Sequence, residues 1–292
     1  MTTQALLQVL ASGLLMGLIY ALIAVGLSLI FGLMDVVNFA HGELLMIAMY
    51  AVFGLWTLTG LDPVILIPIT VGVMFVVGAL MYAGVVRYAM RAKANIGMVQ
   101  IFATFGLAVL LQGVAQFLFT PDYRSVTGAW LAGKTVNFFG VFLPAPQVFG
   151  GLVSLAAFGG LYLLMTKTDL GKALEATRED QGAVALVGID KNKVFALGWG
   201  LGAALVGLAG SVMAIFFYIH PQVGGGFALV AYVTVALGGF GSVFGALAAG
   251  IIVGLVEAMT SFVLPSSMKS IGIYLLYLGV VFFRPSGLFG RL

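Results

Sequence analysis

Hydrophobic residues in this chain run in long blocks, and polar residues gather between them. Nine apolar stretches, at residues 5–34, 43–60, 64–86, 97–120, 146–166, 194–218, 226–240, 243–263 and 271–287, approach or reach the roughly 20 residues that carry a helix across a hydrocarbon layer. The pattern predicts an all-α, polytopic membrane protein with about 8–9 transmembrane helices, forming one transmembrane domain over residues 1–292. Two stretches are irregular. The first is long enough to be either strongly tilted or broken. The seventh is short and rich in glycine. Broken or re-entrant segments are therefore expected near residues 35–43 and 236–245.

Composition supports the same solvent. Hydrophobic residues make up 62% of the chain and charged residues 8%, against about 25% charged in a soluble domain. That is too little polar surface to cover a water-soluble globule. With no cysteine, disulfides, thiolate chemistry and zinc–thiolate sites are excluded. The opening MTTQALLQVLASGLLMGLIYALIAVG lacks a basic leader region, and its apolar run is too long for a signal peptide, so it reads as a retained membrane helix.

The few charges orient the chain. Ten of the thirteen basic residues lie in three places: Arg87, Arg91 and Lys93; Lys167, Lys172, Arg178, Lys191 and Lys193; Arg284 and Arg291. Basic residues in short loops stay cytoplasmic. Counting spans from those loops puts the N-terminus outside, the C-terminus in the cytoplasm and residues 121–145 outside. Arg124, Lys134 and Lys269 fall outside the three clusters.

The inner stretch 167–193 reads as one or two short helices lying across the cytoplasmic face. Asp169 would cap a helix carrying Leu170, Ala173, Leu174 and Thr177 on one side, and Gly188 would end a second. A solvated connector and a docking element for a cytoplasmic partner both fit. The outer stretch 121–145 alternates glycines with short β-like runs around Trp130, Val136, Phe138 and Val141, which predicts a small hairpin. Within it, GAWLAGKT matches a phosphate-binding loop letter for letter, through Gly128, Gly133, Lys134 and Thr135. That loop needs a strand before it and a helix after it. The following NFFGVFLPAP is a poor helix start, so no nucleotide site is expected here.

Three polar features interrupt apolar sequence. NFAHGELL brings Asn38, Phe39, His41, Gly42 and Glu43 together, as either a polar turn at the membrane edge or a discontinuous helix. A His and a Glu two apart share no helix face, and no second His is near, so no metal site is expected. VALGGFGSVFGALAAG places Gly238, Gly239 and Gly241 around Ser242, for close packing or an unwound backbone. A polar or glycine-rich break near each end of the chain is the pattern of a permease built from two related halves. Glu257 sits inside an apolar span, as a structural hydrogen-bonding group or a pathway residue.

GLIYALIAVGLSLIFGLMDVVNFAHGELLMIAMY, GKALEATREDQGAVALVGIDKNKVFAL, ALGGFGSVFGALAAGIIVGLVEAM and the closing RPSGLFGR together resemble the permease subunit of bacterial branched-chain amino acid ABC importers, over essentially the whole chain. The resemblance implies a bacterial inner-membrane transport subunit, not an enzyme, with no cofactor of its own. It also implies a second related permease, forming a heterodimer, two cytoplasmic ATPase subunits that bind the ATP, and an external substrate-binding protein. Nucleic acid has no part. On this resemblance Glu175, Ala176, Arg178, Asp180, Ala185 and Gly188 fall in the element coupled to the ATPases. Asn38, Phe39, His41, Gly42, Glu43, Gly238, Gly239, Gly241, Ser242 and Glu257 fall on the pathway. The external hairpin, with Trp130, Lys134 and Phe138, would be the landing surface for the binding protein. Related permeases carry urea, amides and other small solutes, and a stand-alone secondary transporter is a further alternative.

Overall fold

A computed structural model describes residues 3–92, 95–138, 140–284 and 286–289. Lys93 and Arg291, two of the orienting charges, lie outside the described residues. The chain is nearly all helix: α1 (Thr3–Met34), α2 (His41–Thr59), α3 (Pro63–Met81), α4 (Arg87–Ala89), α5 (Ile96–Phe119), α6 (Ala145–Lys167), α7 (Asp169–Glu179), α8 (Ala183–Leu186), α9 (Lys191–Met213), α10 (Val223–Gly238), α11 (Val243–Val263) and α12 (Ser270–Phe283). A π-helical turn at Tyr82–Val86 joins α3 to α4 without a break. Strands β1 (Thr135–Phe138) and β2 (Val141–Pro144) pair antiparallel as the expected hairpin. Among the described residues seven helices are long and apolar enough to cross a membrane, and α10 and α12 are shorter apolar helices.

The first apolar segment is neither broken nor short. α1 runs 32 residues without interruption, about 48 Å, and is the most enclosed helix of the bundle. Glycines set its neighbours. Gly13 and Gly17 meet Gly254 and Gly250 of α11, so both helices present small residues four apart and their backbones touch. Gly26 meets Gly202 of α9 in the same way.

The ends of α1 define two faces. Near its start, Gln4 and Gln8 donate to the carbonyls of Gly140 and Phe142 in the hairpin, at 3.0 and 3.1 Å. At its other end, Gln181 Nε2 donates to the Leu33 carbonyl at 3.2 Å. The hairpin and the 167–193 stretch therefore occupy opposite faces. The described basic residues of the three clusters sort the same way. Tyr82 OH, beside Arg87, donates to Asn192, Arg178 lies against Gly32, and Leu288 pairs with Leu237 beyond Arg284. All these contacts lie on the face opposite the hairpin.

The amphipathic helix α7 begins one residue from the expected place. Thr168, rather than Asp169, is the cap, its Oγ1 accepting from Gly171 N–H at 3.1 Å. The sixth apolar segment ends at Met213, not 218; residues beyond it turn back into the protein.

Candidate functional site

The bundle's centre is where two helices begin. After α1 the chain turns at Asp35, with φ 55°, and climbs back alongside the helix it has just left. His41, the first residue of α2, donates from Nε2 to the Ile23 carbonyl at 2.9 Å. Ile23 lies eleven residues before Met34, about 16 Å along the axis. So α2 starts deep within the bundle. Of the two alternatives for NFAHGELL, the discontinuous helix is the one present. Asn38 and His41 are fully buried and Glu43 is 8% exposed.

A second helix starts at the same depth. The chain leaves α9, pairs Ile219 with Arg124 near the hairpin face, and returns inward to begin α10 at Val223. There Gly224 packs directly on Gly42, and a methyl group on Gly42 would lie 2.7 Å from the Ala228 Cβ. From this meeting point the two helices diverge. α2 runs toward Asp62, which caps α3 and accepts from Trp130 N–H at 2.6 Å. α10 runs to Gly238 at the opposite face. The packing repeats: α3 lies on α9 as α11 lies on α1, and α2 lies on α9 as α10 lies on α1. The unit α1–α2–α3 and the unit α9–α10–α11 are inverted counterparts, the arrangement from which midplane sites are built in transporters.

Neither α2 nor α10 carries a side-chain cap. The first N–H groups of each helix have no partner within the helix and carry its positive dipole end. At α10 these belong to Gly224, Gly225 and Gly226, and methyl groups on Gly225 and Gly226 would meet only open space. At α2 the turn before the helix is held by its own polar atoms. Asn38 Oδ1 accepts from Ala40 N–H at 3.0 Å. Tyr232 OH donates to the Asn38 and Phe39 carbonyls at 3.2 and 3.1 Å. Phe39 N–H donates to Thr104 Oγ1 at 3.3 Å. Asn38 Nδ2, His41 Nδ1, Glu43 Oε2 and Gln100 Oε1 are enclosed without hydrogen-bond partners among the described residues. Each such atom costs about 1–3 kcal/mol unless something pairs with it.

Sequence reasoning found Asn38 to Glu43 but missed Gln100, Thr104 and Tyr232. On α5 a signal was present: Gln100 and Thr104 are one turn apart on a largely exposed apolar helix, and with Ala115 they are its buried residues. The second interruption, Gly238 to Ser242, does not join this centre. Gly239 and Gly241 take φ of 93° and 78° in a tight turn, Ser242 caps α11, and Gly241 abuts Gly32 and Arg178 at the basic face. The counterpart of residues 35–40 is instead the stretch 214–222. Its apolar FFY run disguised it as helix.

Glu257 is paired. Lys269 Nζ lies 2.8 Å from its Oε1, so the odd lysine outside the basic clusters neutralises the intramembrane carboxylate. At the basic face, α7 and α8 are two separate helices, so Glu175 to Gly188 is not one continuous element. Asp180 makes the joint, accepting from Gly182 and Ala183 N–H at 2.7 and 2.9 Å. These bonds hold its carboxyl below the usual aspartate range. Glu175 and Arg178 line a cavity of about 550 Å³ with Ser242. Ala176 and Ala185 face solvent, and Gly188, at φ 82°, closes α8. Leu186 and Val187 project apolar side chains that are 90% and 75% exposed.

At the hairpin face, Gly128 and Gly133 take φ of 87° and 71°, and Thr135 opens a strand rather than a helix. The geometry that gathers phosphate is absent from GAWLAGKT. Trp130, Lys134 and Phe138 are each exposed.

Comparison with known proteins places the chain among transport permeases. Residues 9–281 match the family described as branched-chain amino acid transport system / permease component. The chain is 30% identical to the high-affinity branched-chain amino acid transport system permease protein BraD of Pseudomonas aeruginosa, over 98% of this chain and 96% of that one. It is 30% identical to the corresponding LivH protein of Escherichia coli K12 with the same coverage. The ribose import permease protein RbsC of Escherichia coli K12 is 28% identical over 81% of this chain and 73% of that one. No solved structure matches.

Proposed function

The chain belongs to the branched-chain amino acid transport system / permease component family, and from that membership we propose that it forms one side of the translocation pathway of an ATP-driven importer for branched-chain amino acids. The chain is a multi-pass membrane transport component rather than an enzyme. The observation that carries the pathway reading is the meeting of the α2 and α10 N-termini at Gly42 and Gly224. Two helix ends offer uncapped N–H groups and positive dipoles to a solute carboxylate, with Asn38 Nδ2 as a further donor, while the Glu43 and Gln100 side-chain oxygens can accept from its ammonium group.

In this reading the basic face is cytoplasmic and the hairpin external, with the N-terminus outside. A second related permease completes the pathway. Two ATPase subunits bind the nucleotide and dock on α7, α8, Leu186 and Val187, around Glu175, Arg178 and Asp180. An external binding protein lands on Trp130, Lys134 and Phe138. The chain supplies two alternating arrangements, and its partners bias between them. A stand-alone secondary transporter would couple through an intramembrane carboxylate; Lys269 occupies Glu257, and Glu43 at the centre is the carboxylate that reading would use.

The chain has no cysteine, so single-cysteine reporters need no background removal. In the assembled transporter, Gly226→Cys should react with a charged methanethiosulfonate reagent during ATP turnover, and L-leucine should protect it. Modification should block uptake. Labelling that is blind to both ATP and leucine, with uptake intact after modification, would remove Gly226 from the pathway and the proposal with it.

A further inference from the structure

A small cavity with a charged end lies on the hairpin side of that centre, and no feature of the pathway reading assigns it a ligand. It measures about 220 Å³ and is lined by α1, α6, α11, the stretch leading into α10, and Lys269. Drug-sized ligands take pockets of roughly 300–1,000 Å³, so its occupant is small. Its charged end is the pair of Glu257 and Lys269. Glu257 is 8% exposed, and it lies six residues from the end of α11, about 9 Å along the axis. Gln147 lines the same cavity, and its Oε1 is enclosed with no hydrogen-bond partner among the described residues. Met16 and Phe217 supply apolar wall. The aromatic floor is Tyr20 and Phe217; Phe227, in the first turns of α10, packs against both, 6.3 Å from Tyr20 and 5.4 Å from Phe217, ring centre to ring centre.

We propose that this cavity is a binding site for a small zwitterion, one ammonium group and one anionic group on a compact body. The ligand's anion takes the Lys269 ammonium and its ammonium takes Glu257 and the Gln147 carbonyl. It thus replaces the internal ion pair with two of its own. Glu257 is the buried member of the pair, its side chain 10% exposed against 44% for Lys269, so the ligand's ammonium makes the desolvated contact while its anion keeps Lys269 paired at the mouth; a ligand without an ammonium group leaves Glu257 stranded. An inorganic anion and a neutral sugar are therefore rejected. The chemistry has two sources: a free α-amino acid, or the headgroup of an aminophospholipid. The inference takes the transport role above as given and places this site before the central one, with the aromatic floor between them.

The experiment uses the assembled transporter in nanodiscs without the external binding protein. One arm measures saturable binding of radiolabelled L-leucine in phosphatidylglycerol discs. The other measures phosphatidylethanolamine retained by the purified complex, by mass spectrometry. Wild type should bind in at least one arm. Glu257→Gln and Lys269→Met should each weaken that binding by 10-fold or more. The double variant, which strands no charge and so preserves the fold, should lose it too. Leucine binding that depends on both residues assigns the site to free amino acid, and dependence in the lipid arm assigns it to the headgroup. If neither ligand binds, or binding is unchanged in all three variants, the site is refuted. Failure of the transport role is separable, because it would show as absent uptake in the complete wild-type system, whereas failure of this inference leaves that uptake intact.

Discussion

Replacing Gly42 by alanine adds one methyl group at the point where α2 and α10 touch. That methyl would fall 2.7 Å from the Ala228 Cβ and nearer still to the Gly224 carbonyl oxygen. Carbon atoms pack at about 3.5–4.0 Å, so the two helix starts must part by about 0.8 Å or more. On one side the obstacle is backbone, which cannot rotate away. Overpacking of this kind costs about 1–3 kcal/mol, and the rigid neighbour places this site at the upper end. In a thermal melt of the purified complex that corresponds to a lowering on the order of 5 °C. Uptake should fall further than stability, because the separation opens the centre itself. Gly54→Ala and Gly225→Ala are the controls, since a methyl at either place meets nothing within 4 Å; both should melt at or above the wild-type temperature. A Gly42→Ala complex that melts and transports like Gly54→Ala would show that the helix starts do not bear on one another, and the central geometry would have to be abandoned.

At the basic face, Leu186→Asp or Val187→Asp should weaken co-purification of the ATPase subunits, each apolar side chain contributing about 1.5–3 kcal/mol when covered; undiminished recovery would free this surface from docking. Asp180 is held in its charged form by two N–H donors, so its contribution to α8 is complete above the ordinary aspartate range near pH 4 and is lost as pH falls through the lower folded value. The hydrogen-exchange protection of residues 183–187, taken relative to the intrinsic rate at each pH, should thus stay level from pH 8 to 5 in wild type and in Asp180→Asn, and should be lower in Asp180→Ala at every pH. Gly188→Pro forces a negative φ where the chain has 82° and should uncouple ATP hydrolysis from uptake; hydrolysis still stimulated by loaded binding protein would contradict this. Lys134→Ala should leave nucleotide binding by the complete complex unchanged, as a titration with a fluorescent nucleotide will show.

Helix existence and placement were legible because lipid demands long apolar runs, and the observed ends fall within a few residues of the expected ones for most segments. The exception is instructive. Residues 214–218 are apolar enough to extend α9, yet they lie near the hairpin face where Ile219 bonds to Arg124, and composition cannot tell membrane depth from the wall of a returning loop. Asn38 and Glu43 were visible because polar atoms are rare in such a chain. The pair Glu257 and Lys269 was not assembled, because eleven residues and a turn separate them and only the packing of α11 on α1 makes the carboxylate's surroundings closed. Gly42 and Gly224 carry no signal of their partnership in one sequence, since glycine is common throughout this chain. The apparent phosphate loop failed for a local reason: two glycines with positive φ lead into a strand.

Because α1 is one unbroken helix, tied to the hairpin at one end and to Gln181 at the other, it is a built-in ruler. A pair of spectroscopic labels on its two ends should report one fixed distance in every state of the cycle. Any label on α2 or α10 can then be located against that axis, and the motions of the two helix starts become coordinates measured from a common origin.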